Sequence, residues 1–197
     1  MVLSQLFGVL ASLMVLVAYG FYISQAVKGQ STPNPASWLI WFIAGIINAF
    51  TYFAVVEGNI WQSLFVITVT FAVLVILIYS AAKGRFSRLS RLDVIIFVLA
   101  IAVGIFWRTS ENDRIANLLL QGIYIISYIP TFSGLVKGTA KEHYASWTAA
   151  VVAYSFATLA LVVDTPGDWI AYVSPVVNGV IGNGLVVLLV LFQQKSL

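Results

Sequence analysis

The stretch VKGQSTPNPASW, residues 27–38, recurs without a gap as VKGTAKEHYASW, residues 136–147. Both copies contain Val-Lys-Gly followed by Ala-Ser-Trp, and the copies lie 109 positions apart. The same register matches Tyr19 with Tyr128, Ser24 with Ser133, Ala44 with Ala153 and Gly58 with Gly167. The alternative is that apolar helices match by chance. The Lys-Gly pair, however, falls in a predicted loop, and a shared apolar composition does not explain a match there. The sequence therefore predicts an internal repeat.

Composition places this repeat in a membrane. Of the 197 residues, 61% are hydrophobic and 9% are charged, whereas soluble domains have about 25% charged residues. The mean hydropathy is +0.99. A chain of this length has room for about seven helices of about 20 residues, each long enough to cross the hydrocarbon core. We therefore predict an all-α integral membrane protein surrounded by the lipid bilayer.

Seven apolar stretches are the predicted spans, and nearly all charges, together with several glycines and prolines, fall between them. The stretches are Leu3–Val27, Ala36–Val56, Ile60–Ala82, Leu92–Trp107, Ile115–Val136, Tyr144–Val163 and Trp169–Phe192. The fourth stretch is the shortest. The short connections make neighbouring spans antiparallel.

The basic residues predict the orientation of the chain. An amino terminus outside the cell places eight lysines and arginines in the cytoplasm and two outside, as the positive-inside rule requires. The cytoplasmic set is Lys28, Lys83, Arg85, Arg88, Arg91, Lys137, Lys141 and Lys195, and the outer set is Arg108 and Arg114. The carboxyl terminus is then cytoplasmic.

Each copy of the repeat contains three spans, so the copies point the same way only if one further helix separates them. We predict a first three-helix repeat in residues 1–82, a cytoplasmic loop and linker helix in 83–109, and a second three-helix repeat in 110–197. This parallel 3+1+3 arrangement puts both Lys-Gly loops on the cytoplasmic side. The distribution of charges requires the same placement independently.

Several kinds of chemistry are not expected from this sequence. It has no cysteine and one histidine, His143, which disfavours thiolate chemistry and the usual metal sites. A retinal pigment needs a lysine inside a span, and a membrane enzyme needs paired carboxylates or a Ser/His pair at one depth. We predict no enzymatic activity, no cofactor, no metal and no nucleic-acid partner.

The second repeat resembles the first helix and loop of the SWEET and PQ-loop transporters. The similar residues are Tyr128-Ile129-Pro130-Thr131-Phe132, Leu135-Val136-Lys137, Glu142 and Ser146, and in the last span Pro175, Asn178, Gly179 and Gly182. The sequence departs from the family at Phe21-Tyr22, which align with Pro130-Thr131, and at Phe50 and Leu159, where the family has pocket tryptophans. A Pro-x-Ser-Trp start of the second span is similar to that of bacterial seven-span proteins.

The resemblance implies a SWEET-like carrier in the bacterial inner membrane. It would move a small polar solute, a sugar or a similar metabolite, by alternating access, and it could act as a homodimer. The spans contain no Asp, Glu, Lys, Arg or His far from their ends, which favours a facilitative uniporter. Asp164, at the outer end of the sixth span, is the candidate for proton coupling, with a solvated end charge as the alternative. Two other readings remain: a non-catalytic scaffold or sensor, and a proton-coupled amino-acid or vitamin carrier of the PQ-loop type.

Polar side chains inside the spans are the candidate substrate-binding residues: Asn48, Thr51, Tyr52, Thr70, Ser155, Thr158, Ser174 and Asn178. The first three share one helix face, and Ser174 with Asn178 forms an i, i+4 pair. Their alternative role is to join helices, at about 0.6 kcal/mol for each hydrogen bond. We favour a cavity role for the two asparagines and a joining role for the hydroxyls.

Prolines and tryptophans are the candidates for movement and gating. Pro130 and Pro175 each remove a backbone hydrogen bond inside a span, which makes either a hinge or a static kink. Trp38, Trp41 and Trp147 begin the second and sixth spans. They are predicted to form a cytoplasmic gate or to act as interfacial anchors.

Overall fold

The computed structural model describes residues 2–33, 35–83 and 91–195. In these residues all regular structure is helical, and seven helices are long and apolar enough to cross a membrane. They are α1 (Val2–Val27), α2 (Pro35–Val55), α3 (Ile60–Ala82), α4 (Arg91–Ser110), α5 (Asp113–Ser127 continuing as Ile129–Val136), α6 (Tyr144–Val163) and α7 (Ile170–Val173, Ser174–Gly182 and Asn183–Lys195). The prediction of seven spans in a multi-pass helical protein is confirmed. Arg85 and Arg88 of the predicted cytoplasmic loop lie outside the described residues.

The fourth span is longer than predicted. It covers 20 residues, from Arg91 to Ser110. Asp93 in its first turn and Arg108 in its last turn carry the charges that favour these ends of a helix, because the helix dipole is positive at the amino end and negative at the carboxyl end. Charged residues therefore extend this helix beyond its apolar stretch.

The two Lys-Gly loops have the same backbone geometry. Gly29 has φ 70° and Gly138 has φ 66°, the left-handed conformation in which glycine commonly follows the end of a helix. The two loops also meet, because the amide of Thr32 donates to the carbonyl of Lys141 at 3.2 Å. We call this side of the bundle, residues 28–33 and 137–143, the Lys-Gly end.

Two helix pairs hold the halves of the chain together. α1 packs mainly against α6, and α2 packs against α5, while α3 lies between α1 and α2. The α1/α6 contact is close because small side chains face each other, among them Ala11, Ala18, Ala149 and Ala153. Small residues let helix backbones approach, which replaces the hydrophobic driving force that lipid does not provide. α4 packs against α5 and α2.

Both helices with a predicted hinge proline are irregular. α5 is interrupted at Tyr128, and its second segment begins at Ile129 with Pro130 in the first turn. Proline has no N–H to donate to the carbonyl four residues earlier, and its ring clashes with that carbonyl. In α7 the nine residues Ser174–Gly182, which include Pro175, form a π-helical stretch. Such wide turns are frequently found at functional sites. Movement at either break stays a prediction.

Candidate functional site

A cavity lies inside the bundle between α1, α2, α3, α5, α6 and α7. Nine aromatic side chains line it: Tyr19, Tyr22, Trp38, Trp41, Phe65, Tyr124, Tyr128, Trp147 and Tyr154. Seven neutral polar side chains line it as well: Asn48, Thr70, Ser127, Ser146, Ser174, Asn178 and Asn183. Its volume is about 110 Å³, smaller than the roughly 300–1,000 Å³ of sites for drug-sized ligands. The space therefore suits a small molecule.

An aromatic wall lies on the side of the cavity toward the Lys-Gly end, where α2 and α6 begin. The ring of Tyr22 meets the ring of Trp38 edge-on, with centroids 5.1 Å apart, and meets that of Trp147 at 6.4 Å. Trp41 continues the wall, 4.9 Å from Trp38 and 6.3 Å from Tyr128. Edge-to-face contacts at these distances are favourable for aromatic quadrupoles. The wall contains residues of α1, α2, α5 and α6, from both halves of the chain, so its rings move apart if these halves separate here.

The tryptophans do not lie where interfacial anchors would. Trp38 is 5% exposed and Trp147 is 8% exposed, and both indoles line the cavity. The Trp41 Nε1–H donates to Ser127 Oγ at 2.7 Å, which joins α2 to α5. An anchor needs its ring at the lipid surface, so the anchor interpretation does not hold for Trp38 and Trp147. The gate stays a prediction.

Among the described residues that line the cavity, Asn178 has a buried side-chain atom without a hydrogen-bond partner. Its Nδ2–H₂ donates to Gln121 Oε1 at 2.7 Å, whereas its Oδ1 is buried and has no hydrogen-bond partner. A buried acceptor without a donor costs free energy. The side chain is 6% exposed and lines the cavity. A solute with a hydroxyl or amide N–H would supply the missing donor.

A network of buried amides fixes the position of Asn178. Gln121 Nε2 donates to Asn48 Oδ1 at 3.0 Å, and Asn117 Nδ2 donates to the same oxygen at 2.9 Å and to Thr51 Oγ1 at 3.0 Å. The network joins α2, α5 and α7. Asn117 and Gln121 are 0% and 1% exposed, and the sequence analysis missed both. Their i, i+4 spacing inside an otherwise apolar helix was the signal that could have revealed them.

Replacing Gln121 with leucine is expected to destabilise the protein. The variant removes the 2.7 Å acceptor of Asn178 Nδ2, which keeps only the Gln121 carbonyl at 3.4 Å, and it removes the donor to Asn117 Oδ1. A buried group left without a partner costs about 1–3 kcal/mol. Thermal unfolding of the purified protein, read by helical circular dichroism, measures the loss. In a double-mutant cycle with Asn178→Ala, the effects should be less than additive because both residues belong to one network. Fully additive effects would contradict the network.

The predicted binding residues fall into two groups. Asn48, Thr70, Ser174 and Asn178 line the cavity, and Thr51 belongs to the amide network behind it. Tyr52, Ser155 and Thr158 do not line it. The Ser155 and Thr158 hydroxyls donate to carbonyls one turn back in α6, at 2.8 and 2.9 Å, and the Tyr52 hydroxyl donates to the Ala171 carbonyl at 3.2 Å. Their polar groups are satisfied within the helices.

The π-helical stretch of α7 has its own polar partners. Asn183 Nδ2 donates to the Gly179 carbonyl at 2.7 Å, and the Tyr128 hydroxyl donates to the Asn178 carbonyl at 2.9 Å. Irregular turns in membrane helices persist when side chains satisfy the freed backbone groups. Tyr128, at the break in α5, thus holds the irregular part of α7 beside the cavity.

Asp164 lies at the other side of the bundle, away from the cavity. Its carboxylate accepts a hydrogen bond from Asn59 Nδ2 at 3.2 Å, and its main-chain carbonyl accepts one from Gln62 Nε2 at 2.6 Å. Arg114 and Asp168 form an ion pair on the same side. These contacts join the connection before α7 to the starts of α3 and α5. Asp164 therefore holds this end together, and its role in proton coupling stays a prediction.

Glu142 is the acidic residue closest to the aromatic wall. Its carboxylate accepts hydrogen bonds from the Tyr22 hydroxyl at 3.3 Å and from Trp147 Nε1 at 3.1 Å. Burial raises the pKa of the Glu142 carboxyl to about 7, although polar interactions with Trp147, Ser31 and Tyr22 lower it. The sequence analysis noted Glu142 only as part of the family resemblance.

Fold and site together define a multi-pass α-helical membrane protein with a central cavity of aromatic and neutral polar side chains. No family model matches the chain, and neither a curated protein nor a solved structure is significantly similar to it. The SWEET and PQ-loop resemblance therefore depends on the residues quoted above and stays a prediction.

Proposed function

We propose that this protein is a carrier that moves a small, uncharged polar solute across the bacterial inner membrane by alternating access. The observation that carries the proposal is the cavity, which is lined by aromatic rings and neutral polar side chains, among them Asn178 with its buried and unpartnered Oδ1. Rings provide apolar contact area, and a few placed polar groups provide orientation, which is the usual composition of a small-molecule site.

The charge of the lining favours a neutral solute. Among the described residues, no Asp, Glu, Lys, Arg or His lines the cavity. A charged solute would lose its hydration in a low-dielectric site without a counter-charge, and that cost is large. A sugar, polyol, nucleoside or similar molecule loses less and can use its hydroxyl or N–H groups on the amides.

A parallel 3+1+3 arrangement would give this carrier two moving halves. The repeat register exchanges α1 with α5 and α2 with α6, so the α1/α6 contact corresponds to the α2/α5 contact, and both are observed. Two cavity-lining pairs, Tyr19 with Tyr128 and Trp38 with Trp147, are also related by this register. Equivalent interfaces support rocking of one half against the other around a central site. The outside amino terminus and the cytoplasmic Lys-Gly end complete the proposal.

Uptake into liposomes tests this function. Purified protein is reconstituted and supplied with labelled neutral solutes (sugars, polyols and nucleosides) beside charged amino acids and phosphates. We expect saturable uptake of at least one neutral solute to equilibrium without accumulation, and none of the charged ones. Protein-free liposomes are the control. Absence of flux for the whole panel would contradict the carrier and favour a scaffold, and accumulation against a gradient would contradict the uniporter.

A further inference from the structure

The Glu142 carboxyl lies where α1 and α6 meet at the Lys-Gly end. Its Oε1 accepts from the Tyr22 hydroxyl of α1, and its Oε2 accepts from the Trp147 indole of α6. Both rings line the cavity. One carboxyl thus connects two helices of the aromatic wall, and a separation of these helices would break at least one of the hydrogen bonds and admit water to the carboxyl.

This site can hold the carboxyl in either protonation state. The Tyr22 and Trp147 donors suit a carboxylate. A protonated carboxyl needs in addition an acceptor for its O–H. Ser31 Oγ is close enough to the Glu142 carboxyl to lower its pKa, and it is buried without a hydrogen-bond partner. A hydroxyl can donate to the carboxylate or accept from the acid by rotating. The surroundings therefore accommodate gain and loss of a proton.

The groups that face Glu142 are few. They are Tyr22 from α1, Ser31 from the first Lys-Gly loop and Trp147 from α6, and among the described residues no cation shifts its pKa. Lys141 and His143 are its neighbours in the chain. The His143 Nδ1 accepts from the Ala145 amide at 3.2 Å and lies 3.3 Å from Gln25 Nε2. Because His143 is also titratable, an experiment must separate the two residues.

Burial sets the direction of the pH effect. In the closed wall, desolvation raises the pKa of Glu142 from 4.5 to about 7. Glu142 is already partly exposed at this end, and opening would expose its carboxyl further to water and lower its pKa toward the ordinary value. A proton binds more tightly to the form with the higher pKa, so protonation favours the closed form and ionisation favours opening. The window of the effect lies between these two pKa values.

We propose that Glu142 is a proton-binding site at the mouth of the cavity, which keeps the Lys-Gly end closed while it is protonated and favours opening when it is ionised. The inference rests on the alternating access proposed above. The proton enters and leaves at the same end of the bundle, so it regulates the rate of opening without driving accumulation of the solute.

Thiol labelling measures this opening without any solute. The chain has no cysteine, so Ser174→Cys introduces a single thiol on a side chain that lines the cavity and is 7% exposed. A small water-soluble thiol reagent is applied across the pH window. Thr139→Cys, on the exposed second Lys-Gly loop, gives the reference rate that removes the pH dependence of the thiol itself. We expect the ratio of the two rates to rise at least about tenfold as Glu142 ionises, since each pKa unit between the two forms corresponds to a factor of about ten.

Matched variants assign the effect to Glu142. In the Glu142→Gln background the ratio should stay low and independent of pH, because the neutral amide resembles the protonated acid. His143→Asn, which keeps an acceptor suited to the start of α6, should respond as the wild-type chain does. An unchanged pH response in Glu142→Gln, or loss of the response in His143→Asn alone, would overturn the proposal.

A milder variant covers the case in which Glu142→Gln does not fold. Tyr22→Phe keeps the ring in the wall and removes one donor to the carboxylate, so the midpoint of the response should move to higher pH. An unmoved midpoint would count against the site. Labelling reports opening and uptake reports transport, so a failure of the carrier function and a failure of the proton site give different results.

Discussion

Replacing Gly179 with alanine is expected to destabilise the protein by about 1–3 kcal/mol, the usual cost of overpacking, and to abolish solute uptake. A Cβ at this position would lie 2.1 Å from Cδ1 and 2.3 Å from Cγ of Tyr154. These atoms are the near part of the ring, so the side chain cannot avoid the methyl group by a small rotation. Either α7 moves away from α6, or the Tyr154 ring turns into the cavity that it lines.

Gly184→Ala is the matched control in the same helix. A Cβ there meets no heavy atom within 4 Å, and alanine is a better helix former than glycine by about 0.5–1 kcal/mol. The two variants should therefore change the melting temperature in opposite directions, as measured by circular dichroism in detergent. A Gly179→Ala variant as stable and active as Gly184→Ala would show that α6 and α7 do not pack as described.

Asn178→Ala is expected to reduce uptake at least about tenfold, since each 1.4 kcal/mol of lost interaction is a factor of about ten. The variant removes an amide that lines the cavity, with its unpartnered Oδ1, and the donor to Gln121 Oε1. Initial rates at several solute concentrations show whether binding or turnover is lost. The amount of folded, monodisperse protein should stay close to that of the wild type.

Thr158→Ala controls for a general effect of removing polar groups from the spans. Thr158 lies outside the cavity, and its hydroxyl is bonded within α6, so uptake should be unchanged. If Asn178→Ala transports as well as the wild-type chain, Asn178 serves helix packing and the solute binds elsewhere.

The sequence was sufficient for the spans because lipid imposes a simple constraint. Every backbone polar group in the hydrocarbon must be bonded within a helix, so apolar length alone marks a span, and charges with Gly and Pro mark the ends. Pro130 could be placed at a break for the same local reason. The π-helical stretch around Pro175 could not be foreseen, because it depends on partners supplied by Tyr128 and Asn183.

The site was only partly predictable because polar residues in spans can either face a cavity or join helices. Asn48 and Asn178 could be selected as the larger polar groups, but the hydroxyls of Ser155 and Thr158 look similar in the sequence and bond within their own helix. Gln121 and Glu142 were missed because their importance comes from the helices that they meet, α7 in one case and α1 with α6 in the other. No local sequence pattern predicts such contacts between distant helices.

The interruption of α5 at Tyr128 divides this helix into two segments with different roles. The long segment Asp113–Ser127 bears the amides that orient Asn178, whereas the short segment Ile129–Val136 leads to the Lys-Gly end. The short segment, which has eight residues, could thus change its angle while the long segment stays fixed. Substitutions in the long segment would then alter solute preference, and substitutions in the short segment would alter the rate of opening. Each set would have little effect on the other property.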